Sequence, residues 1–168
     1  ATVRNALPDS TASLIGLGTH PVATTDTVKV KPGDSTVVTF LAGAPGTYLY
    51  RAVIGNDPDT REAEHETAGG ALVVDPVGGS PPDRIFVMNI TFQEIDSTRV
   101  KEALAINGKS WPHTERLTMS VGDSLRWRVV NGTSRGHPMH MHGFYFRTTA
   151  IGTGLASTAI PSDQQALE

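Results

Sequence analysis

The chain has 168 residues, carries a formal charge of −3 from 14 Lys and Arg against 17 Asp and Glu, and contains no cysteine. That length builds one ordinary domain or two small β domains. The balanced charge argues against nucleic acid or an anionic membrane surface as partner, the lack of thiols excludes disulfides, thiolate zinc sites and a cysteine nucleophile, and no apolar run approaches the roughly 20 residues of a spanning helix.

The 17 Gly and 11 Pro, among many Thr and Val, suit short strands joined by tight turns, so the expected class is all-β. The N-terminus lacks the basic-then-apolar pattern of an export signal. Alternation at Val28-Lys29-Val30-Lys31, a turn at Pro32-Gly33-Asp34 and renewed alternation over Thr36-Val37-Val38-Thr39-Phe40 predict strand, turn, strand. Further strands are expected at Gly46-Thr47-Tyr48-Leu49-Tyr50 and Gly70-Ala71-Leu72-Val73-Val74, with loop between them. The breakers of residues 75–82 place a linker there, between a first domain over residues 1–78 and a second over residues 79–168.

In the second domain, residues 84–92 form a strongly apolar strand and residues 94–105 leave room for a short helical turn. Leu117-Thr118-Met119-Ser120, a turn at Val121-Gly122-Asp123, and Ser124 to Val130 repeat the strand, turn, strand unit, with Trp127 in the core and Trp111 also structural. Residues 152–168 are small and polar and fit a surface loop or tail.

Three of the six histidines lie within six residues, at His137, His140 and His142. On a strand, residues two apart share a face, so His140 and His142 present two imidazoles side by side. Pro138 frees His137 to point elsewhere, which lets the segment serve two metal sites. Neutral imidazole suits copper, zinc and iron. A lone histidine is usually a surface or hydrogen-bonded residue, which is the default for His20, His65 and His113. A zinc hydrolase would need an acid to activate water, but after the cluster no Asp or Glu occurs before Asp163. A cupin would need a Glu soon after its His-X-His.

The stretch Ile106-Asn107-Gly108, Pro112, Val121-Gly122-Asp123, Val130-Asn131, then His137-Pro138-Met139-His140-Met141-His142-Gly143-Phe144 resembles the multicopper oxidases, laccases included, in content and order. Pro45 to Tyr50 with Gly70 to Pro76 resembles the end of that family's preceding cupredoxin domain, and Val3 to Leu7 an interior strand of it. The resemblance implies two cupredoxin-like Greek-key β-sandwich domains, both partial. It implies that His137 binds type 1 copper, which takes electrons from the donor, and that His140 and His142 bind the trinuclear type 2/type 3 cluster, where dioxygen becomes water. Met139 and Met141 are expected to pack.

Where the family's first domain carries a His-X-His pair this chain has Arg51, Ala52 and Val53, so the first domain is expected to be a scaffold without copper ligands. Type 1 copper also needs a cysteine thiolate, which this chain lacks. The remaining ligands are therefore expected from the rest of a longer polypeptide or from further subunits, both ends falling inside a cupredoxin domain; family members with few domains place the cluster between subunits, often as homotrimers. The implied substrates are a small phenolic, amine or metal-ion donor and dioxygen, and the implied location is extracellular or periplasmic. The alternatives are a copper-holding module and a copper-free cupredoxin scaffold, neither of them an oxidase.

Overall fold

The computed structural model describes residues 1–20, 27–55, 68–79, 84–133, 135–152 and 157–159. The histidine at 65, residues 80–82 of the expected linker and most of the expected tail lie outside them. All regular elements among these residues are strands, as composition predicts: β1 (Thr2–Arg4), β2 (Ala12–Ile15), β3 (Val28–Val30), β4 (Ser35–Val37), β5 (Gly46–Ile54), β6 (Gly69–Val74), β7 (Arg84–Asp96), β8 (Arg99–Ile106), β9 (Trp127–Asn131), β10 (Ala150–Gly152) and β11 (Ser157–Ala159).

The first half is organised around an antiparallel sheet of order β3-β2-β5-β6. Register pairs Ala12 with Val30 and Ile54, and Leu14 with Val28 and Ala52, so these apolar residues share one face. Ala12, Leu14, Leu17 and Val30 are the buried cluster, with Val3 of β1 and Tyr50 packed against it. On the opposite face Ser13 and Val53, paired across β2 and β5, are also buried, so the centre of the sheet is covered on both sides.

The turn at Pro32-Gly33 forms as expected: Asp34 N–H donates to Lys31 O (3.1 Å) and Gly33 adopts φ +76°. Its flanking strands do not pair with each other. β3 joins β2 while β4 joins β1, so the turn carries the chain from one sheet into another. Asn5 holds the crossing together. It is 3% exposed, its Nδ2 donates to Ser10 O and Val30 O, and its Oδ1 accepts from Leu7 N–H. A buried amide satisfied in this way avoids the desolvation penalty of an orphaned polar group.

His20 is buried rather than on the surface, but hydrogen-bonded as a lone histidine is expected to be. Its Nε2 lies 2.9 Å from Gly16 O and its ring stacks on Tyr48 at 4.1 Å with planes 9° apart. The backbone approaches closely here: a Cβ on Gly43, at φ +80°, would fall 2.0 Å from His20 O. Only glycine fits.

The second half is a sheet of order β8-β7-β9. Residues 94–105 hold no helical turn. β7 and β8 form a long antiparallel hairpin whose corner is made by Asp96, with Oδ1 accepting from Thr98 N–H (3.0 Å) and Thr98 Oγ1 (2.8 Å). That side-chain turn chemistry folds the chain back on itself where helix formation would need an uninterrupted backbone ladder. Leu117 to Ser120 is likewise not a strand. The turn at Gly122 does form, with Asp123 N–H on Ser120 O and Ser120 N–H on Asp123 Oδ2, yet regular pairing begins only at Trp127. The tail also departs from expectation in part, because β11 pairs with β10.

The two faces of this second sheet differ. Val87 and Ala105 are buried on one face, and Arg128 leaves it to donate to Thr47 Oγ1 (2.7 Å) and to approach Asp75 (3.8 Å) in the first half. By register the other face carries Phe86, Met88, Leu104, Ile106, Trp127 and Val129. Phe86 and Trp127 meet edge to face at 5.5 Å, giving Trp127 the packing role expected of it. The same face nevertheless exposes Leu104 (58%), Ile106 (40%) and Val129 (38%). Trp111 is 85% exposed and does not pack as expected.

Asn107 closes β8 at positive φ (51°) in an Asn-Gly turn. Its Oδ1 accepts from Val87 N–H and its Nδ2 donates to Ile85 O, both at 2.8 Å, so one side chain pins the turn to β7. Asn107→Ala loses both bonds and keeps a strained φ, and is expected to cost about 2–3 kcal/mol in urea unfolding. A cost below about 0.5 kcal/mol, the ordinary surface value, would show that the turn does not depend on this side chain.

Candidate metal centre

β9 delivers the chain to the histidine segment. Its last residue, Asn131, opens a tight side-chain turn: Oδ1 accepts from Thr133 N–H (3.0 Å) and Thr133 Oγ1 (2.7 Å), while Nδ2 donates to Arg135 O. Arg135 in turn meets Glu102 on β8, with Nη1 at 3.0 Å from Oε1 and 2.9 Å from Oε2. The loop ahead of His137 is thus tied to the sheet by an ion pair and a set of local hydrogen bonds.

His137 is half-buried, and its Nε2 lies 2.8 Å from Thr133 Oγ1. That contact leaves Nδ1 as the ring atom open to a ligand. His140 and His142 are exposed, with ring centroids 5.0 Å apart and planes at 80°. They lie side by side although residues 136–146 form no regular strand. Gly143 ends the segment at φ +80° in a turn. No ring nitrogen of His140 or His142 has a hydrogen-bond partner among the described residues.

The pair borders an open concavity of about 520 Å³ formed by residues 139–146. Phe144 (69%) and Tyr145 (81%) are exposed beside it, as is Met139 (43%), whereas Met141 is half-buried. Of the two methionines expected to pack, Met141 is the one partly covered. His113 is exposed and the buried His20 belongs to the first sheet.

Among the described residues no three His, Asp or Glu side chains converge on one point that could hold a metal ion. The segment therefore offers a pair of imidazoles and a separate single one. This donor set fits copper: neutral nitrogen ligands suit Cu as well as Zn, and the ring nitrogens are unpaired or, in His137, divided between one hydrogen bond and one open position. It is a partial set. The side chain missed from the sequence is Thr133, whose signal was its place four residues before His137 and two after Asn131.

A family model described as multicopper oxidase matches residues 80–166. A protein of Kuenenia stuttgartiensis named a probable nitrite reductase-hydroxylamine oxidoreductase fusion is 31% identical over 131 residues, covering 68% of this chain and 15% of its own length. The crystal structure of a blue copper oxidase from Nitrosomonas europaea superposes with a TM-score of 0.67 at 19% identity, covering 99% of this chain and 56% of the other. At that identity the superposition shows the fold, an all-β cupredoxin-like one. The chain spans 15% of the curated relative and about half of the solved neighbour.

Proposed function

The chain belongs to the multicopper oxidase family, and from that premise we propose that it is the copper-binding portion of a laccase-like oxidase. The complete protein removes single electrons from a small phenolic, amine or metal-ion donor and passes four of them, with four protons, to one dioxygen to give two waters. His137 holds the type 1 copper on the donor side. His140 and His142 hold part of the trinuclear type 2/type 3 cluster on the oxygen side. Copper supplies the one-electron storage that lets single-electron donors serve a four-electron acceptor. The protein's own part is to present the imidazoles, His140 and His142 with unengaged ring nitrogens and His137 held through one of its two.

The observation that carries this reading is the exposure of His140 and His142 side by side, with ring nitrogens unengaged, next to an open concavity. Two such groups facing outward are suited to being completed by ligands from another domain or subunit. The apolar face of the second sheet that exposes Leu104, Ile106 and Val129 supports the same arrangement, because a contiguous apolar face is normally covered. We assign the covering partner to the remainder of the polypeptide or to further subunits, a homotrimer included, and the location to the periplasm or the extracellular space.

The likeness to a relative named as a nitrite reductase fusion favours one second reading, in which nitrite replaces dioxygen as the electron acceptor. The complete, copper-loaded protein decides. With a phenolic donor, one dioxygen consumed per four donor electrons supports the oxidase, whereas turnover only when nitrite is added supports the second reading. Copper retained after dialysis with no turnover on either acceptor would leave a copper-holding module, and loss of all copper would leave a scaffold.

A further inference from the structure

The hydrogen bonds ahead of His137 leave one consistent arrangement of protons. Thr133 N–H can only donate and Arg135 O can only accept, so Asn131 must turn Oδ1 to the former and Nδ2 to the latter. The Thr133 hydroxyl then has two oxygens in reach of its single proton, Asn131 Oδ1 at 2.7 Å and Arg135 O at 3.2 Å, and both are acceptors. His137 Nε2, at 2.8 Å, is a third group the proton could reach, but the 2.7 Å contact with Asn131 Oδ1 joins two oxygens and only the hydroxyl can place a proton between them, so the proton is spent there. One of its lone pairs takes Arg135 N–H at 3.2 Å, and the other faces His137 Nε2 at 2.8 Å. A lone pair at that distance requires a donor, so Nε2 carries the ring proton.

Resting on the reading of His137 as a copper ligand, we propose that Thr133 is the positioning residue that fixes His137 as its Nε2–H tautomer and aims the bare Nδ1 at the metal. A metal-binding imidazole needs a deprotonated ligating nitrogen and a partner for the other one; the partner sets both tautomer and ring orientation. Thr133 meets that need with a hydroxyl whose own proton is already committed. The Arg135–Glu102 ion pair anchors the carbonyl that Asn131 holds, so the sheet keeps the hydroxyl in place. The device consists wholly of residues in the described chain and does not depend on where the remaining copper ligands come from.

Proton–nitrogen NMR of the histidine rings tests it in the complete protein freed of copper, at a pH above the ordinary imidazole range. His137 is expected to show a protonated Nε2 and a bare Nδ1. Copper(I), added alone, is expected to move the Nδ1 resonance and leave Nε2–H in place. In Thr133→Val the Nε2–H signal should vanish into solvent exchange and the copper(I) midpoint at His137 should rise about 10-fold or more. Thr133→Ser keeps the hydroxyl and should restore both, which a purely structural role of the side chain would not predict.

A wild-type His137 with its proton on Nδ1 overturns the proposal, as does a Thr133→Val variant whose folded form binds copper(I) with the wild-type midpoint. The underlying copper reading fails in a different way. In that case copper(I) moves no His137 resonance even in the wild type and His137→Ala leaves copper content unchanged, while the tautomer measurement still decides the role of Thr133.

Discussion

Copper bound at the His140 and His142 position is expected to fall to zero when both are replaced by alanine, while the protein melts where the wild type does. The two halves of this expectation have separate physical grounds. Both rings are exposed and, among the described residues, their one ring contact is with each other at 5.0 Å. Removing them opens no cavity and orphans no buried polar group, so the stability change belongs to the surface class, within about 0.5 kcal/mol. The metal, by contrast, loses every ligand this segment gives it there. Metal analysis of the complete protein after mild dialysis, paired with a thermal melt, reads both quantities. A double variant that is unfolded or strongly destabilised and yet keeps its copper content undiminished would make the pair packing residues, and the oxidase reading would fail at its centre.

The proximity of His140 and His142 was legible from their spacing of two, although the strand from which it was argued does not form there. The turns at Gly33 and Gly122 were legible for a similar reason: a glycine at positive φ followed by an Asp is a local event. What those turns connect was not. β3 and β4 pair with β2 and β1 rather than with each other, a choice made by contacts more than ten residues away. The alternation over Leu117 to Ser120 mimics a strand, but a strand exists only when a neighbour offers its ladder, and none of the described strands does so there. The Asp96 corner was missed because apolar and charged residues on either side of it fit a helix as well as a hairpin, and the deciding hydrogen bonds come from one short side chain. At the site itself, the three imidazoles could be read from their spacing. The Thr133 contact could not, because it needs the Asn131 turn to bring a hydroxyl back onto a ring four residues ahead.

The largest loss of stability is expected at Tyr48, in the first sheet. Tyr48 is 1% exposed on the central strand of the first sheet, its ring lies flat against His20 and its hydroxyl donates to Ala44 O at 2.8 Å. Tyr48→Ala removes an aromatic ring from a site lined on one side by an imidazole held to the Gly16 carbonyl, and the truncation of a buried aromatic typically costs about 3–5 kcal/mol. The lower end of that range applies here. His20 Nδ1 is buried with no hydrogen-bond partner among the described residues, so a water entering the new space finds a polar group to bind and offsets part of the cavity term. Tyr48→Phe isolates the hydroxyl: Ala44 is exposed and its carbonyl can turn to solvent, so this variant is expected to lose only about 0.5–1.5 kcal/mol. Urea unfolding of the two variants gives both numbers. The ring is the reason for the gap between them, and equal losses in the two variants would show that the hydroxyl, and not the stack on His20, holds this part of the sheet.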